Sequence, residues 1–225
     1  MNDTVRIFAG YDPNEAAGYH TFCHSVITRA SKPVSITPII KNQFSWWSRV
    51  GEQNGATEFS FSRFLVPFLC GFKGHAIFLD GADMLCLGDI AELWELRDHS
   101  KAVQCVQHKE YKPTQVKMWN QENRAYPRKN WSSVMIMNCE YHHSRELTFE
   151  NVATKPGSWL HQFQWTKDEK IGELPPEWNC LIDEGVIPNN PKILHYTLGL
   201  PSVHKSQYDN IWYAERDKMN HITPK

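Results

Sequence analysis

The stretch "FLDGADMLCLGDI" (residues 78–90) places two aspartates, Asp80 and Asp83, at the end of an apolar run that is typical of a buried strand. Residues three apart in a regular strand face opposite ways, so the two carboxylates would diverge. Gly81 stands between them and can adopt a positive φ, which would absorb one extra residue as a bulge and turn both carboxylates toward one point. The sequence therefore predicts two acidic side chains that converge beyond a strand end.

Strand and helix patterns alternate along the whole chain. The predicted segments are strands over 5–9, 34–40, 75–79, 101–107 and 134–138, a helix over 15–30, and a helix over 60–70 with a proline-interrupted end. The spacing of Asp89 and Glu92 predicts a helix cap at Asp89. Strands separated by helices indicate an α/β fold, in which a mostly parallel, twisted sheet has helices on both faces. Such sheets bind ligands beyond the carboxyl ends of their strands, where the two aspartates lie.

Two carboxylates on a short loop are also the hard oxygen ligands with which proteins hold Mg2+ or Mn2+. Such an ion can grip the phosphates of a substrate at the same time. An Asp-Gly pair at a strand end is, however, an ordinary turn signal as well. The residues by themselves leave both interpretations open, a plain turn and a metal site.

Composition and charge narrow the classes of function. A chain of 225 residues can bury a full core and is interpreted as one domain over 1–225, with a looser tail from about residue 200. The net charge of −1 gives no general electrostatic reason to expect nucleic acid. The N-terminus lacks the pattern of a signal peptide, and no apolar run approaches the roughly 20 residues of a membrane span. With six scattered cysteines, we expect a cytoplasmic protein with reduced thiols.

Four stretches occur in an order that is more informative than any one of them. They are SFSRFLVPFLCGFKGHAIFLDGADMLCLGDIAELWEL (60–96), WSSVMIMNC (131–139), LPPEWNCL (174–181) and ILHYTLGLP (193–201). In this order the chain, from about Val5 to Pro201, resembles family 8 of the nucleotide-sugar glycosyltransferases, which have the GT-A fold. That family has an Asp-x-Asp motif after the strand written here as AIFLD, and a later histidine completes its metal site. The resemblance implies a GT-A-type, Rossmann-like domain in which Asp80, Asp83 and His195 bind Mn2+ or Mg2+.

The resemblance also implies contacts with the nucleotide. The segment FAGYDPN is similar to one that holds the nucleotide base, so Ala9, Tyr11 and Asp12 would meet uracil and ribose. A plain turn is the other interpretation of Asp12 and the two residues after it. Arg63 matches an arginine that approaches the donor, and its apolar setting calls for an anionic partner, which a diphosphate would supply.

The chain departs from the family pattern at three further places. Ser132 and Ser133 stand where asparagine and glycine are common, so these serines are candidate contacts of the donor sugar. The Asp-Gln pair expected upstream of LPPEWN is replaced by LHQFQW, which leaves Gln162 as a candidate for the same role. The lysine that closely follows the histidine motif is out of register, and Lys205 is the candidate for binding phosphate.

The implied function is transfer of a sugar from a UDP-sugar donor to the hydroxyl of a glycan or other acceptor, with retention of anomeric configuration. One alternative is a non-catalytic protein that binds sugar-nucleotide. It is suggested by Asp83, which stands one residue later than the second aspartate of the Asp-x-Asp motif, and by the missing Asp-Gln pair. Another is a sugar nucleotidyltransferase, which would call for a glycine-rich basic loop near the N-terminus that the sequence does not show. Residues 111–129 are interpreted either as a loop over the donor or acceptor or as a surface excursion. No residue is assigned as catalytic base or nucleophile.

Overall fold

A computed structural model describes residues 4–44, 49, 59–109, 126–182, 184 and 187–221. The predicted loop over 111–129 therefore lies outside the described residues up to 125. The strands are β1 (Val5–Gly10), β2 (Val34–Ile39), β3 (His75–Leu79), β4 (Met84–Cys86), β5 (Val103–Cys105), β6 (Val134–Asn138), β7 (Ile171–Glu173), β8 (Cys180–Leu181) and β9 (Ile193–His195). They form a six-stranded sheet in the order β2-β1-β3-β6-β5-β7 and a smaller sheet in the order β4-β9-β8.

The large sheet is mostly parallel, as the sequence predicts. β1 pairs in parallel with β2 and β3, and β5 pairs in parallel with β7. β6 pairs antiparallel with both β3 and β5, so it is the strand that runs against the others. The pattern of β6 could not reveal this direction, because a strand buried on both faces is a continuous apolar run whichever way it runs.

Most predicted elements lie where the sequence places them, with two differences. Residues 60–70 form a 3-10 helix (Ser62–Leu65) followed by a short α-helix, and Pro67 lies in the first turn of that helix. A proline there lacks an N–H that would have no helical partner anyway, so it begins the helix and does not interrupt it. The strand predicted over 101–107 is shorter and comprises only Val103–Cys105.

Helices cover both faces of the large sheet. They are α1 (Ala16–Arg29), α2 (Val66–Leu69), α3 (Ile90–Glu95), α4 (Phe149–Thr154), α5 (Gly157–His161) and α6 (Asp209–Asn220). Ile7 and Ile77 of the sheet pack with α1 and α3, whereas their chain neighbours Phe8 and Phe78 pack with α2, α4 and α5. This division follows from the alternation of side chains along a strand. Nowhere in the described residues is a helix both long and apolar enough to cross a bilayer.

Helix α6 is anchored to α1. Glu215 of α6 is buried and accepts hydrogen bonds from Arg29 (2.7 Å) and His24 (2.7 Å) of α1. Trp212 of the same helix is also buried. Residues 209–220, within the segment expected to be a looser tail, therefore pack against the body of the domain.

Candidate metal centre

The connection between β3 and β4 brings Asp80 and Asp83 together through a tight turn. Gly81 has a φ of +72°, in the left-handed region that favours glycine. The amide of Ala82 donates to the carbonyl of Asp80 (2.7 Å), and the amide of Met84 donates to the carbonyl of Gly81 (3.2 Å). The special conformation predicted for Gly81 is confirmed. The extra residue is taken up by a turn between two strands, however, and not by a bulge within a paired strand.

Strand pairing in the smaller sheet brings His195 to the same point. Met84 lies opposite His195 in the antiparallel pair β4–β9, and the amide of Tyr196 donates to the carbonyl of Asp83 (2.8 Å). The side chains of Asp80, Asp83 and His195 offer ligand atoms that all lie within 4.8 Å of one another, and all three residues are buried. The structure therefore brings together the three residues that the sequence proposed as a metal site.

The imidazole of His195 faces both carboxylates. Its Nε2 lies 3.2 Å from Oδ2 of Asp83 and 3.8 Å from Oδ2 of Asp80. Burial raises the pKa of Asp80 above its usual value against the opposing attraction of Arg63, and the charge of Asp83 raises it further. A site that crowds two carboxylates away from water is unfavourable for their charged forms unless a cation joins them.

Asn179 determines which nitrogen of His195 faces the carboxylates. The Nδ2 group of Asn179 donates to the carbonyl of Asn130 (3.2 Å), which can only accept, so Oδ1 of Asn179 is its acceptor end. That oxygen lies 2.9 Å from Nδ1 of His195, and Nδ1 must therefore carry the proton. Asn179 Nδ2 also lies 3.0 Å from Nε2 of His108, whose pKa burial lowers to about 4, so that His108 is a neutral acceptor.

The donor set of the three residues fits a divalent cation. Because Nδ1 donates to Asn179, a neutral His195 would present the lone pair of Nε2 to the site, and two ionised carboxylates can also only accept. A divalent cation satisfies all of these acceptors at once, and carboxylate oxygens are the ligands that Mg2+ and Mn2+ prefer. A histidine held by a hydrogen bond on its other nitrogen is the usual arrangement of a metal-binding imidazole.

We expect Asn179→Ala to weaken binding of Mn2+ by about 10- to 100-fold, because His195 loses the contact that orients its ring and its tautomer. Calorimetric titration of the nucleotide-free protein with Mn2+ measures this. Asn138→Ala is the matched control: Asn138 is also buried, and its amide donates to the carbonyls of His99 and Lys101 at the opposite end of β6. An equal loss of affinity in both variants would show that Asn179 acts only through general stability.

Arg63 is paired with one of the metal-site aspartates. Its Nη1 lies 2.6 Å from Oδ1 of Asp80 and donates to the carbonyl of Ser132 (3.0 Å), and its guanidinium is buried over the rings of Phe59 and Phe78. Sequence reasoning expected a diphosphate as its anionic partner, and here Asp80 takes that place. Because Asp80 uses Oδ1 for this pair, its other oxygen is directed to His195. A contact of Arg63 with the donor stays a prediction.

The two candidate serines lie beside Asp80, and one of them contacts a histidine that sequence reasoning missed. The carbonyl of Ser133 accepts from the amide of Asp80 (3.0 Å). The hydroxyl of Ser132 lies 2.9 Å from Nδ1 of His161. Burial, together with the charge of Arg63, lowers the pKa of His161 to about 3, so its imidazole is neutral. These side chains border the Arg63 side of the metal site, and their contact with a donor sugar stays a prediction.

Gln162 and Lys205 are not joined to the metal site by the contacts found among the described residues. The carbonyl of Gln162 accepts from Arg128 (2.6 Å), and it is the neighbouring His161 that reaches Ser132. Lys205 is largely exposed, and its Nζ lies 3.8 Å from Oδ2 of Asp209 at the start of α6. Their proposed roles at the donor sugar and at phosphate stay predictions.

The residues proposed for the nucleotide are Ala9, Tyr11 and Asp12, at the end of β1 and in the loop after it. In the sheet, β1 lies on one side of β3 and β6, which follows Ser132 and Ser133, lies on the other. A Cβ added at Gly81 would lie 3.1 Å from the Cβ of Ala9, so the end of β1 is packed against this turn. The ring of Tyr11 meets that of Tyr19 edge to face at 5.2 Å. Oδ1 of Asp12 accepts from the amide of Asn14 (2.9 Å), which is the contact of a plain turn. Binding of uracil and ribose by these residues stays a prediction.

Sequence reasoning did not single out Asn179, which contacts His195, or His161, which contacts Ser132. It also did not single out Glu15, a buried acid directly before α1. Asn179 belongs to the stretch LPPEWNCL, where a polar residue between Trp178 and Cys180 was a signal of a buried polar contact. His161 directly precedes the candidate Gln162, but only the packing shows which of the two turns inward. Glu15 had no local signal, because an acidic residue at the start of a helix is ordinary.

The sequence is similar to a protein family and to a relative from a plant. Residues 29–200 match the family model described as glycosyl transferase family 8. The chain is 41% identical over 228 residues to "Protein CDI" of Arabidopsis thaliana, covering 96% of this chain and 87% of the relative.

Solved glycosyltransferase structures resemble the fold. The bifunctional glycosyltransferase WbbM has a TM-score of 0.60 at 13% identity, covering 96% of this chain and 52% of that one. The galactosyltransferase LgtC, whose structure contains donor and acceptor sugar analogs, has a TM-score of 0.58 at 12% identity, covering 97% of this chain and 98% of that one. The chain thus spans about half the length of WbbM and almost all of LgtC. At such low identities these likenesses establish the shared fold.

Proposed function

This chain belongs to glycosyl transferase family 8, and from that premise we propose that it transfers a sugar from a UDP-sugar to the hydroxyl of a glycan or other acceptor. The proposed reaction depends on Mn2+ or Mg2+ and retains the anomeric configuration. Glycosyl transfer is the activity of the family, whereas UDP, the metal and retention are the specific parts of the proposal.

The convergence of Asp80, Asp83 and His195 carries this proposal. Two departures from the family pattern suggested a protein that binds sugar-nucleotide without turnover: the second aspartate, which stands one residue late, and the missing Asp-Gln pair. The turn at Gly81 returns Asp83 to within 3.2 Å of His195. This geometry answers the first of the two departures and supports a metal-assisted transferase, whereas turnover is what separates such an enzyme from a non-catalytic binding protein. No observation favours the nucleotidyltransferase alternative.

The residues of the site would have two roles in binding the donor: some would hold the metal ion, and others would position the ligands. A divalent ion held here would neutralise the negative charge that develops on the leaving diphosphate. Asp80 and Asp83 would hold the ion through carboxylate oxygens, and His195 through Nε2, which Asn179 orients. Arg63 pairs with Asp80 and donates to the carbonyl of Ser132, so these contacts would hold the side chains that border the proposed position of the donor sugar.

The chemical step requires no protein nucleophile. In a front-face substitution, the bond between the anomeric carbon and the phosphate oxygen breaks as the acceptor oxygen bonds to the same face of the sugar. The departing phosphate oxygen takes the proton of the acceptor hydroxyl, so atoms and charge balance without a separate base. Retention follows because the new bond forms on the face that the leaving group vacates.

The test is calorimetric binding of UDP to the wild-type chain with Mn2+ and after its removal with EDTA, followed by a screen of UDP-sugars for release of UDP. We expect binding that requires the metal and turnover with at least one UDP-sugar. Binding that ignores the metal would refute the metal site, and release of pyrophosphate would indicate a nucleotidyltransferase. Metal-dependent binding without turnover on any UDP-sugar would favour the non-catalytic alternative.

A further inference from the structure

Glu15 is a buried acid with no partner in the described part of the chain. Its side chain is 6% exposed, close to the 7% and 8% of Asp80 and Asp83. Neither of its carboxylate oxygens has a hydrogen-bond partner among the described residues. Buried polar atoms are rarely left unsatisfied, since each costs about 1–3 kcal/mol, so a carboxyl group in this state is a candidate for binding a ligand.

The backbone places Glu15 next to the turn that carries the metal site. It ends a short 3-10 helix (Pro13–Glu15) that follows β1, and it directly precedes α1. The first turn of α1 lies against the β3–β4 connection so closely that a Cβ at Gly18 would be 2.0 Å from the carbonyl oxygen of Ala82. Glu15 thus precedes a helix whose first turn is packed against the turn that carries the two aspartates.

Structural roles do not account for this side chain. An acidic residue at a helix start usually caps the helix or faces solvent, but Glu15 makes no side-chain cap to α1 and is buried. It makes no ion pair among the described residues. Burial and then, in decreasing order, the negative charges of Asp83, Asp12 and Asp80 together raise the pKa of Glu15 to about 8. Among charged side chains, Asp83 and Asp12 therefore act most strongly on the carboxyl group of Glu15.

The position of Glu15 restricts the part of a nucleotide that it could meet. Asp83 belongs to the metal site, where the diphosphate would be held, and Asp12 belongs to the loop proposed for the base. The ribose is the part of a nucleoside diphosphate that joins these two groups. Its hydroxyls are hydrogen-bond donors that suit a carboxyl oxygen in either protonation state, whereas phosphate oxygens only accept and would be met by the protonated form alone.

We propose that Glu15 binds a ribose hydroxyl of the donor nucleotide and so makes the site selective for ribonucleotides. The proposal rests on the proposed function, because it needs a nucleoside diphosphate at the metal site. It adds a contact to those inferred for Ala9, Tyr11 and Asp12, and it assigns a ligand to a carboxyl group that otherwise has none.

The experiment compares binding of UDP, 2′-deoxy-UDP and 3′-deoxy-UDP in the presence of Mn2+. We expect the wild-type protein to prefer UDP over at least one deoxy analogue by about tenfold, the factor that one hydrogen bond of ordinary strength supplies. In Glu15→Leu, which fills the space without an acceptor, this preference should fall to about one. In Glu15→Gln, which keeps a carbonyl oxygen at the same place, most of the preference should return.

The outcomes distinguish failure of this inference alone from failure of the proposed function. If the wild-type chain binds UDP with Mn2+ but shows no preference over either deoxy analogue, or if Glu15→Leu keeps the preference, Glu15 does not bind ribose and the proposed function still stands. An equal loss of affinity for all three nucleotides in Glu15→Leu would indicate a structural role and overturn the inference. If the wild-type chain binds no UDP, the proposed function and this inference fail together.

Discussion

Asp83→Ala should abolish the metal dependence of UDP binding and leave the chain folded. Oδ2 of Asp83 faces Nε2 of His195, so the variant removes one ligand of the proposed ion. Loss of an outer contact alone typically weakens a metal site about 10- to 100-fold, and loss of a ligand should cost at least roughly 100-fold. The pairing of β4 with β9 uses the backbone carbonyl of Asp83 and should survive. Calorimetric titration with UDP at a fixed Mn2+ concentration measures the effect.

Asp89→Ala is the matched control for this variant. Asp89 lies six residues later and caps α3 by accepting from the amide of Ala91 (2.9 Å), as the sequence predicts. Its removal should cost about 0.5–2 kcal/mol of stability and leave Mn2+-dependent binding unchanged. If Asp83→Ala binds UDP with the wild-type metal dependence, Asp83 is not a ligand, and the convergence at Gly81 does not build a metal site.

Arg63→Met should lower the free energy of unfolding of the metal-free protein by about 3–5 kcal/mol, because it leaves Asp80 buried without its cation. Arg63 and Asp80 are both buried, with a distance of 2.6 Å between Nη1 and Oδ1. Methionine preserves much of the apolar stem, so the loss reports mainly on the charge pair. Urea unfolding in EDTA at neutral pH measures the change.

A double-mutant cycle separates the free energy of the Arg63–Asp80 interaction from the other contacts that each substitution removes. Asp80→Asn should also destabilise the chain, since it strands the guanidinium of Arg63 over two phenylalanine rings. The combined variant Arg63→Met/Asp80→Asn should lose less than the sum of the single variants, by about 0.5–3 kcal/mol. Strict additivity would mean that the two side chains do not interact, and that Arg63 is held by its carbonyl and ring contacts alone.

Much of the fold could be predicted because it depends on local patterns. β3 and β6 are continuous apolar runs bounded by polar or glycine residues, and their limits agree with the sequence. The cap at Asp89 and the positive φ at Gly81 follow from the chemistry of one or two residues. The assignment of Asp80, Asp83 and His195 to one site came from the resemblance to a family, because periodicity carries no information about residues 112 positions apart.

The sequence by itself determined the α/β class, the position of the two aspartates at a strand end, and the need for glycine between them, since these depend on side-chain alternation and on steric limits of the backbone. Only the tertiary structure decided that β6 runs antiparallel, that Asp80 is the partner of Arg63, and that Asn179 orients His195. It also showed Glu15 without a partner in the described part of the chain. The physical reason is the same in each case. Which polar groups are buried together depends on how distant segments pack, and the partners of a buried charge or hydrogen-bonding group determine whether it stabilises the fold or binds a ligand.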